Sequence, residues 1–196
     1  MNPIFLLPGT ICCPAEASVV TTILGSCVAV CLWDKHRCVG GMNHFLLPRC
    51  RDGAPSARYG DIAFAHLLAA MERLGCKPAN LRAKVFGGAA VLPFGLHSET
   101  VGAHNVSVAL DALRLHGIPI LARRTGGQRG LFLRFHTELG RVMVRELSGA
   151  PGAESGLHTQ RPQSRIQHTT SALSAGAVSS GNAANRAWNQ RSRAIV

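Results

Sequence analysis

The chain has 196 residues, 46% of them hydrophobic, which is enough for one globular domain with a sizeable core and a remainder outside it. Its seven Cys are odd in number, form a small fraction of the chain and follow no apolar signal segment, which argues against a secreted disulfide scaffold and predicts a cytoplasmic setting. No apolar run of about 18 residues occurs, so no membrane-spanning helix is expected; the net charge of +11 suits nucleic acid, a membrane surface or an acidic protein partner and selects none of them.

In chain order, Ser18 to Leu24 and Cys27 to Trp33 are β-branched and apolar runs around a Gly25-Ser26 break, and predict two strands. Asp34 to Arg37 reads as a turn, and Cys38 to Leu47 as a strand that ends at Pro48 and carries Gly40-Gly41, a place for close backbone approach. After a surface loop from Pro48 to Tyr59, Asp61 is placed to cap a helix running to about Leu74, with Gly75 at its end. Apolar residues round most of its circumference predict packing on several sides. Leu81 to Phe86 predicts a strand reaching Gly87-Gly88, and His104 to Leu115 a second helix broken by Gly117 and Pro119. Ile118 to Arg123, Leu131 to Thr137 and Arg141 to Leu147 predict strands, the last two joined as a hairpin through Glu138-Leu139-Gly140. Hairpins mixed with helices predict an α+β domain with antiparallel sheet over residues 1–147. From Ser148 to Val196 the composition turns to Ser, Ala, Gly, Gln and Asn with five Arg and one Glu, too little apolar surface to offset the entropy of ordering. This predicts a disordered, basic, low-complexity tail whose +4 leaves +7 on the folded part.

An intracellular chain with a Cys in a glycine-flanked turn and a His elsewhere is a candidate thiol enzyme. Cys12, Cys13, Cys31, Cys38, Cys50 and Cys76 lie in apolar runs or an irregular loop, the setting of inert small hydrophobes or surface thiols. Cys27 differs: it follows Leu24-Gly25-Ser26 at a strand entrance, where the turn can expose the thiol and aim backbone N–H groups at a developing oxyanion. His44, in Gly40-Gly41-Met42-Asn43-His44, would serve as its base if the two strands are neighbours, an imidazolium then lowering the thiol pKa. Thr21 or Thr22 could orient the ring by accepting from its second nitrogen.

A metal site fits poorly. Cys27, Cys31, His36, Cys38, His44 and Cys50 crowd one window without a C-x-x-C pair, and Cys27 and Cys31 stand about 13 Å apart along a strand rising about 3.3 Å per residue. Gly87-Gly88 and Gly126-Gly127 match no phosphate-loop pattern. A nucleic-acid-binding reading draws on the arginines from Arg123 to Arg145, but Tyr59, Trp33 and Trp188 leave little for base stacking, and no nucleic acid partner is expected. A catalytically silent partner of a signalling phosphatase is a third reading.

Leu24-Gly25-Ser26-Cys27-Val28, Gly40-Gly41-Met42-Asn43-His44 with Phe45 to Pro48, and Lys84-Val85-Phe86-Gly87-Gly88-Ala89 resemble, in order and spacing, the CheD family of chemoreceptor glutamine deamidases. Tyr59-Gly60, Val101-Gly102-Ala103-His104-Asn105 and Thr125-Gly126-Gly127 agree, and the likeness runs from about residue 10 to 147. The resemblance implies a stacked, mostly antiparallel β-sheet with two or three flanking helices, a cysteine-hydrolase-like deamidase fold. It also implies Cys27 as nucleophile, His44 as base and Thr21, six residues before the cysteine, as the third member, with no cofactor. The implied substrates are glutamine side chains of methyl-accepting chemotaxis receptors, with Glu methyl esters chemically reachable, and in some members a CheC-type phosphatase is a partner. Arg123-Arg124 stands where the family commonly carries an acidic residue, and the tail has no counterpart.

Overall fold

Short β-branched and aromatic runs become strands in the computed structural model, which describes residues 3–51, 53–90, 101–148 and 193–195. In chain order the elements are β1 (Ile4–Phe5), β2 (Thr10–Cys12), β3 (Val19–Leu24), β4 (Val28–Asp34), β5 (Val39–His44), α1 (Gly60–Arg73), β6 (Leu81–Gly87), α2 (Val101–Leu115), β7 (Ile120–Thr125), β8 (Leu131–His136), β9 (Arg141–Glu146) and β10 (Arg193–Ile195). The strands form two five-stranded sheets, β1-β3-β8-β9-β10 and β2-β5-β4-β6-β7. All pairs are antiparallel except β1 with β3 and β6 with β7. The parallel β6–β7 pair follows from α2: a chain that leaves a strand and returns through a helix comes back in the same direction. The α+β expectation and the β8–β9 hairpin therefore hold.

Period-two alternation sorts the side chains into two cores. Val20 and Leu24 of β3, Leu131, Leu133 and Phe135 of β8, and Val142 and Val144 of β9 meet Ala29, Cys31, Met42 and Phe86 between the sheets. On the other face of the second sheet, Val28, Val30, Leu32, Leu81, Ala83 and Val85 pack on Phe64, Leu67 and Met71 of α1 and on Ala109 and Leu113 of α2. β4 is buried on both faces, which is why Val28 to Trp33 reads as an unbroken apolar run.

The structure departs from the expected elements in three places. Asp61 is not the helix cap; Tyr59 holds that position, and Asp61 sits in the first turn with Oδ1 accepting from the N–H groups of Ile62 and Cys50. The short strands β1 and β2 precede the first predicted one. Of the segment 148–196 read as a disordered tail, Arg193–Ile195 forms β10, paired antiparallel with Val142 to Val144 of β9, while residues 149–192 lie outside the described part. Among the described residues no helix is long and apolar enough to cross a membrane.

Candidate active site

Three consecutive carbonyls of the Gly-Ser-Cys turn are each held from the protein side. Gly25 O accepts from Ala89 N at 2.9 Å, Ser26 O from Asn105 Nδ2 at 3.0 Å, and Cys27 O from Gly88 N at 2.8 Å. Gly87 makes this approach possible: at φ +106° it lies where side chains are strained, and a Cβ there would strike Cys27 O. Farther out, Gly126 N donates to Gly87 O and Ala90 N to Gly127 O, at 2.9 and 2.8 Å. Fragments spread over 100 residues of sequence thus knit one turn, and Cys27 leaves it half-buried, packed against the inter-sheet core.

β5 runs beside β4, with Cys31 opposite Met42 and Val28 bridged to Phe45. That register sets Ala29 opposite His44 and makes Cys27 the diagonal neighbour of His44 on the same face, a relationship spanning about 7–8 Å that a long side chain can close. Between those pairs the ladder is interrupted, and Val30 N–H donates to Asn43 Oδ1 at 2.8 Å. His44 points between the sheets, 1% exposed, and its Nδ1 lies 2.8 Å from Thr22 Oγ1. The Thr22 hydroxyl donates its one proton to Leu6 O at 2.8 Å. It can therefore only accept from the ring, which puts the ring proton on Nδ1 and a lone pair on Nε2. Nε2 is buried and has no hydrogen-bond partner among the described residues.

The sequence left this position to Thr21 or Thr22 and the family resemblance implied Thr21; the residue within hydrogen-bond distance of the ring is Thr22. Thr22 shares the inner face of β3 with Val20 and Leu24; Thr21, one residue before it, turns to the opposite face, where it is buried and its hydroxyl donates to Ile4 O at 3.3 Å. Both alternations of Val19 to Leu24 carry apolar partners, Val19 and Ile23 or Val20 and Leu24, so the pattern does not choose a face. Leu6 was also missed, although Ile4 to Leu7 before Pro8-Gly9 is a readable strand signal.

Burial pushes the His44 pKa down to about 4 and the Cys27 thiol up, the latter opposed by its own backbone N–H. Both shifts disfavour the charged forms, opposite in direction to a thiol pKa lowered by an imidazolium. A neutral base beside an un-ionised thiol suits concerted deprotonation during attack. Among the described residues no three His, Cys, Asp or Glu gather as a metal site. Arg124 and Arg129, two of the arginines behind the nucleic-acid reading, both lie against Glu146, Arg129 at 3.8 Å. A cleft of about 330 Å³ is lined by Pro48, Arg49 and Arg51 after β5 and by His104, Ser107 and Val108 of α2.

The family model described as CheD chemotactic sensory transduction matches residues 46–146. A relative from Rhodospirillum rubrum named "Probable chemoreceptor glutamine deamidase CheD" is 56% identical over 146 residues, covering 74% of this chain and 83% of its own length. The chain belongs to the CheD family. An Anaeromyxobacter dehalogenans protein, "Probable chemoreceptor glutamine deamidase CheD 1", is 46% identical over 74% of this chain and 84% of its own. A Sulfurimonas denitrificans CheD relative is 43% identical over 65% and 83%. The family-model match begins at Leu46, so Cys27, Thr22 and His44 lie outside it.

Proposed function

We propose that this chain is a cysteine-dependent chemoreceptor glutamine deamidase of the cytoplasm, which hydrolyses receptor glutamine side chains to glutamate and releases ammonia. One observation carries the residue roles: the Leu6 carbonyl, Thr22 hydroxyl and His44 Nδ1 form a relay that leaves Nε2 as the open base on the face shared with Cys27. In the first step the Cys27 sulfur bonds to the carboxamide carbon while the thiol proton passes to His44 Nε2; the oxyanion collapses, the C–N bond breaks, and His44 returns the proton to departing ammonia. Water then gives a proton to His44 and attacks the thioester, releasing glutamate and restoring the thiol. Glutamate methyl esters present the same acyl group with a better leaving group and fall within reach of the same chemistry. Thr22 takes the orienting role that the family pattern gives to Thr21. A CheC-type phosphatase is carried as a second partner on the family resemblance alone.

The test is mass spectrometry of a receptor cytoplasmic fragment before and after incubation with the full chain, reading amide-to-acid conversion at individual Gln residues. Conversion that needs Cys27 supports the reading; conversion at the wild-type rate by Cys27→Ala overturns it.

A further inference from the structure

Asn105 reaches both strand ends flanking the nucleophile. It is 0% exposed, on the first turns of α2. Its Nδ2 donates to Ser26 O at 3.0 Å and to Leu46 O at 2.9 Å. In the β4–β5 register Leu46 is the position across from Cys27, one place beyond the last backbone bridge, Val28 with Phe45. The Asn105 amide thus supplies the rung that the ladder lacks at the nucleophile. It does so at a cost: Asn105 Oδ1 is buried without a hydrogen-bond partner among the described residues, a desolvation penalty that an apolar side chain would not incur.

The gain lies in the geometry of one peptide unit. Ser26 C=O and Cys27 N–H belong to the same trans peptide and point in opposite directions. Fixing Ser26 O toward α2 turns Cys27 N–H away from α2, to the side of the cysteine's own thiol. Gly88 N on Cys27 O and Ala89 N on Gly25 O fix the neighbouring peptide planes, so the Ser26–Cys27 plane has little freedom once Asn105 holds it. Donors fixed before reaction at the place where charge develops are the arrangement that stabilises an oxyanion.

We infer that Asn105 is a positioning residue for the deamidation, its side-chain amide clamping the Ser26 and Leu46 carbonyls so that Cys27 N–H is held as donor to the oxyanion formed from the substrate carboxamide. This rests on Cys27 being the nucleophile. As the S–C bond forms, the carbonyl π electrons move to oxygen, the thiol proton goes to His44, and the oxyanion accepts from Cys27 N–H. The influence of that N–H on the thiol is in keeping with it, since it favours the thiolate against burial.

The experiment uses Asn105→Ala and Asn105→Asp in the full chain, with rates normalised to the titrated content of folded protein. Both should lower kcat on the order of 10²-fold, the loss typical of one oxyanion donor, with KM nearly unchanged. The pH profile of Cys27 alkylation, followed at that residue by mass spectrometry, should move to higher pH, because the thiolate loses the same N–H. A purely structural residue would lower the folded fraction and leave the normalised kcat and the alkylation profile where they were; that result overturns the inference. If neither variant folds, amide NMR of the wild type decides. With a receptor peptide carrying the side-chain aldehyde in place of Gln, thiohemiacetal formation should shift the Cys27 amide proton downfield, with both Asn105 side-chain protons slow to exchange; an unmoved Cys27 amide refutes it. Cys27→Ala run alongside separates the two failures: an active Cys27→Ala sinks the nucleophile assignment itself, whereas an inactive one beside wild-type Asn105 variants sinks only the clamp.

Discussion

Thr22 Oγ1 lies 2.8 Å from His44 Nδ1, while Thr21, its chain neighbour, turns to the other face of the strand and bonds Ile4 O. Two threonines of equal chemistry thus have unequal roles. Thr22→Val should lower kcat on the order of 10-fold, the worth of one buried hydrogen bond of about 1–1.5 kcal/mol, because the ring loses both its orientation and its tautomer preference. Thr21→Val should stay near the wild-type rate. Steady-state deamidation of a receptor fragment by the two variants checks this, and the reverse order would return the role to Thr21.

The low His44 pKa sets the acid limb of activity. With the ring neutral down to about pH 4, kcat/KM should be level from pH 8 to about pH 5 and fall only below that; a limb centred at 6.5 would contradict the buried, neutral base. The same shift is a statement about stability. In the unfolded chain the ring takes its proton near 6.5, in the folded chain only near 4, so the unfolded state binds more protons between those values. Stability from this group is full above pH 6.5 and is lost as pH falls toward 4, by about 3 kcal/mol at about 1.4 kcal/mol per unit. Urea unfolding of wild type against His44→Gln should show that difference in slope over this window, and parallel curves would refute it.

Thiol reactivity should follow exposure rather than catalytic role at rest. Cys38 is exposed, whereas Cys27 is half-buried with its pKa raised by desolvation, so iodoacetamide near neutral pH should take Cys38 before Cys27. In catalysis Cys27 and His44 act as one unit: Cys27→Ala should abolish turnover, His44→Ala should cost about 10²–10⁴-fold, and adding His44→Ala to Cys27→Ala should cost nothing more. Peptide mapping of the alkylated chain and the four rate constants of this cycle are the measurements; additive losses would break the unit apart.

The strands and helices were legible because their apolar periods are strong, and Cys27 and His44 stood out because a Gly-Ser turn and a Gly-Gly strand are unusual settings. What stayed hidden depended on long-range placement. Which threonine faces inward is a matter of register, and a one-residue change reverses it when both alternations are apolar, as in Val19 to Leu24. Asn105 reads as an ordinary helix residue until α2 is packed so that its amide meets two carbonyls 59 and 79 positions away in the chain. Charge state is hidden for a related reason: spacing suggests that a thiol and an imidazole are close, but only the depth of the site says how strongly burial disfavours their charged forms.

The arginines near the final hairpin are partly neutralised within the chain, since Arg124 and Arg129 share Glu146. If that edge docks acidic receptor helices, Glu146→Gln should release both guanidinium groups and lower KM at low salt, with kcat unchanged, because exposed charges act mainly on association. Charge reversal at Arg49 and Arg51, which line the cleft against α2, should raise KM and flatten its salt dependence if receptor docks there instead. Kinetics at two ionic strengths tell the surfaces apart: whichever pair leaves KM unmoved at low salt is not the docking face.

A chain truncated after Ser148 should fold and deamidate. Among the described residues, the side chains that form both cores lie between Leu6 and Val144. What truncation removes from the described part is β10, three residues paired with Val142, Met143 and Val144 on the outer edge of β9. Losing it leaves β8–β9 intact but exposes the N–H and C=O groups of β9, an edge that can pair with another chain. The expected outcome is therefore an unchanged kcat for a receptor fragment, a modest drop in Tm, and self-association that rises with protein concentration and is relieved by adding a peptide spanning residues 190–196. Light scattering and thermal melts of the truncated and full chains measure this. Loss of folding or of deamidation on truncation would show that the segment beyond Ser148 is an integral part of the domain, and the boundary at Leu147 would have to be withdrawn.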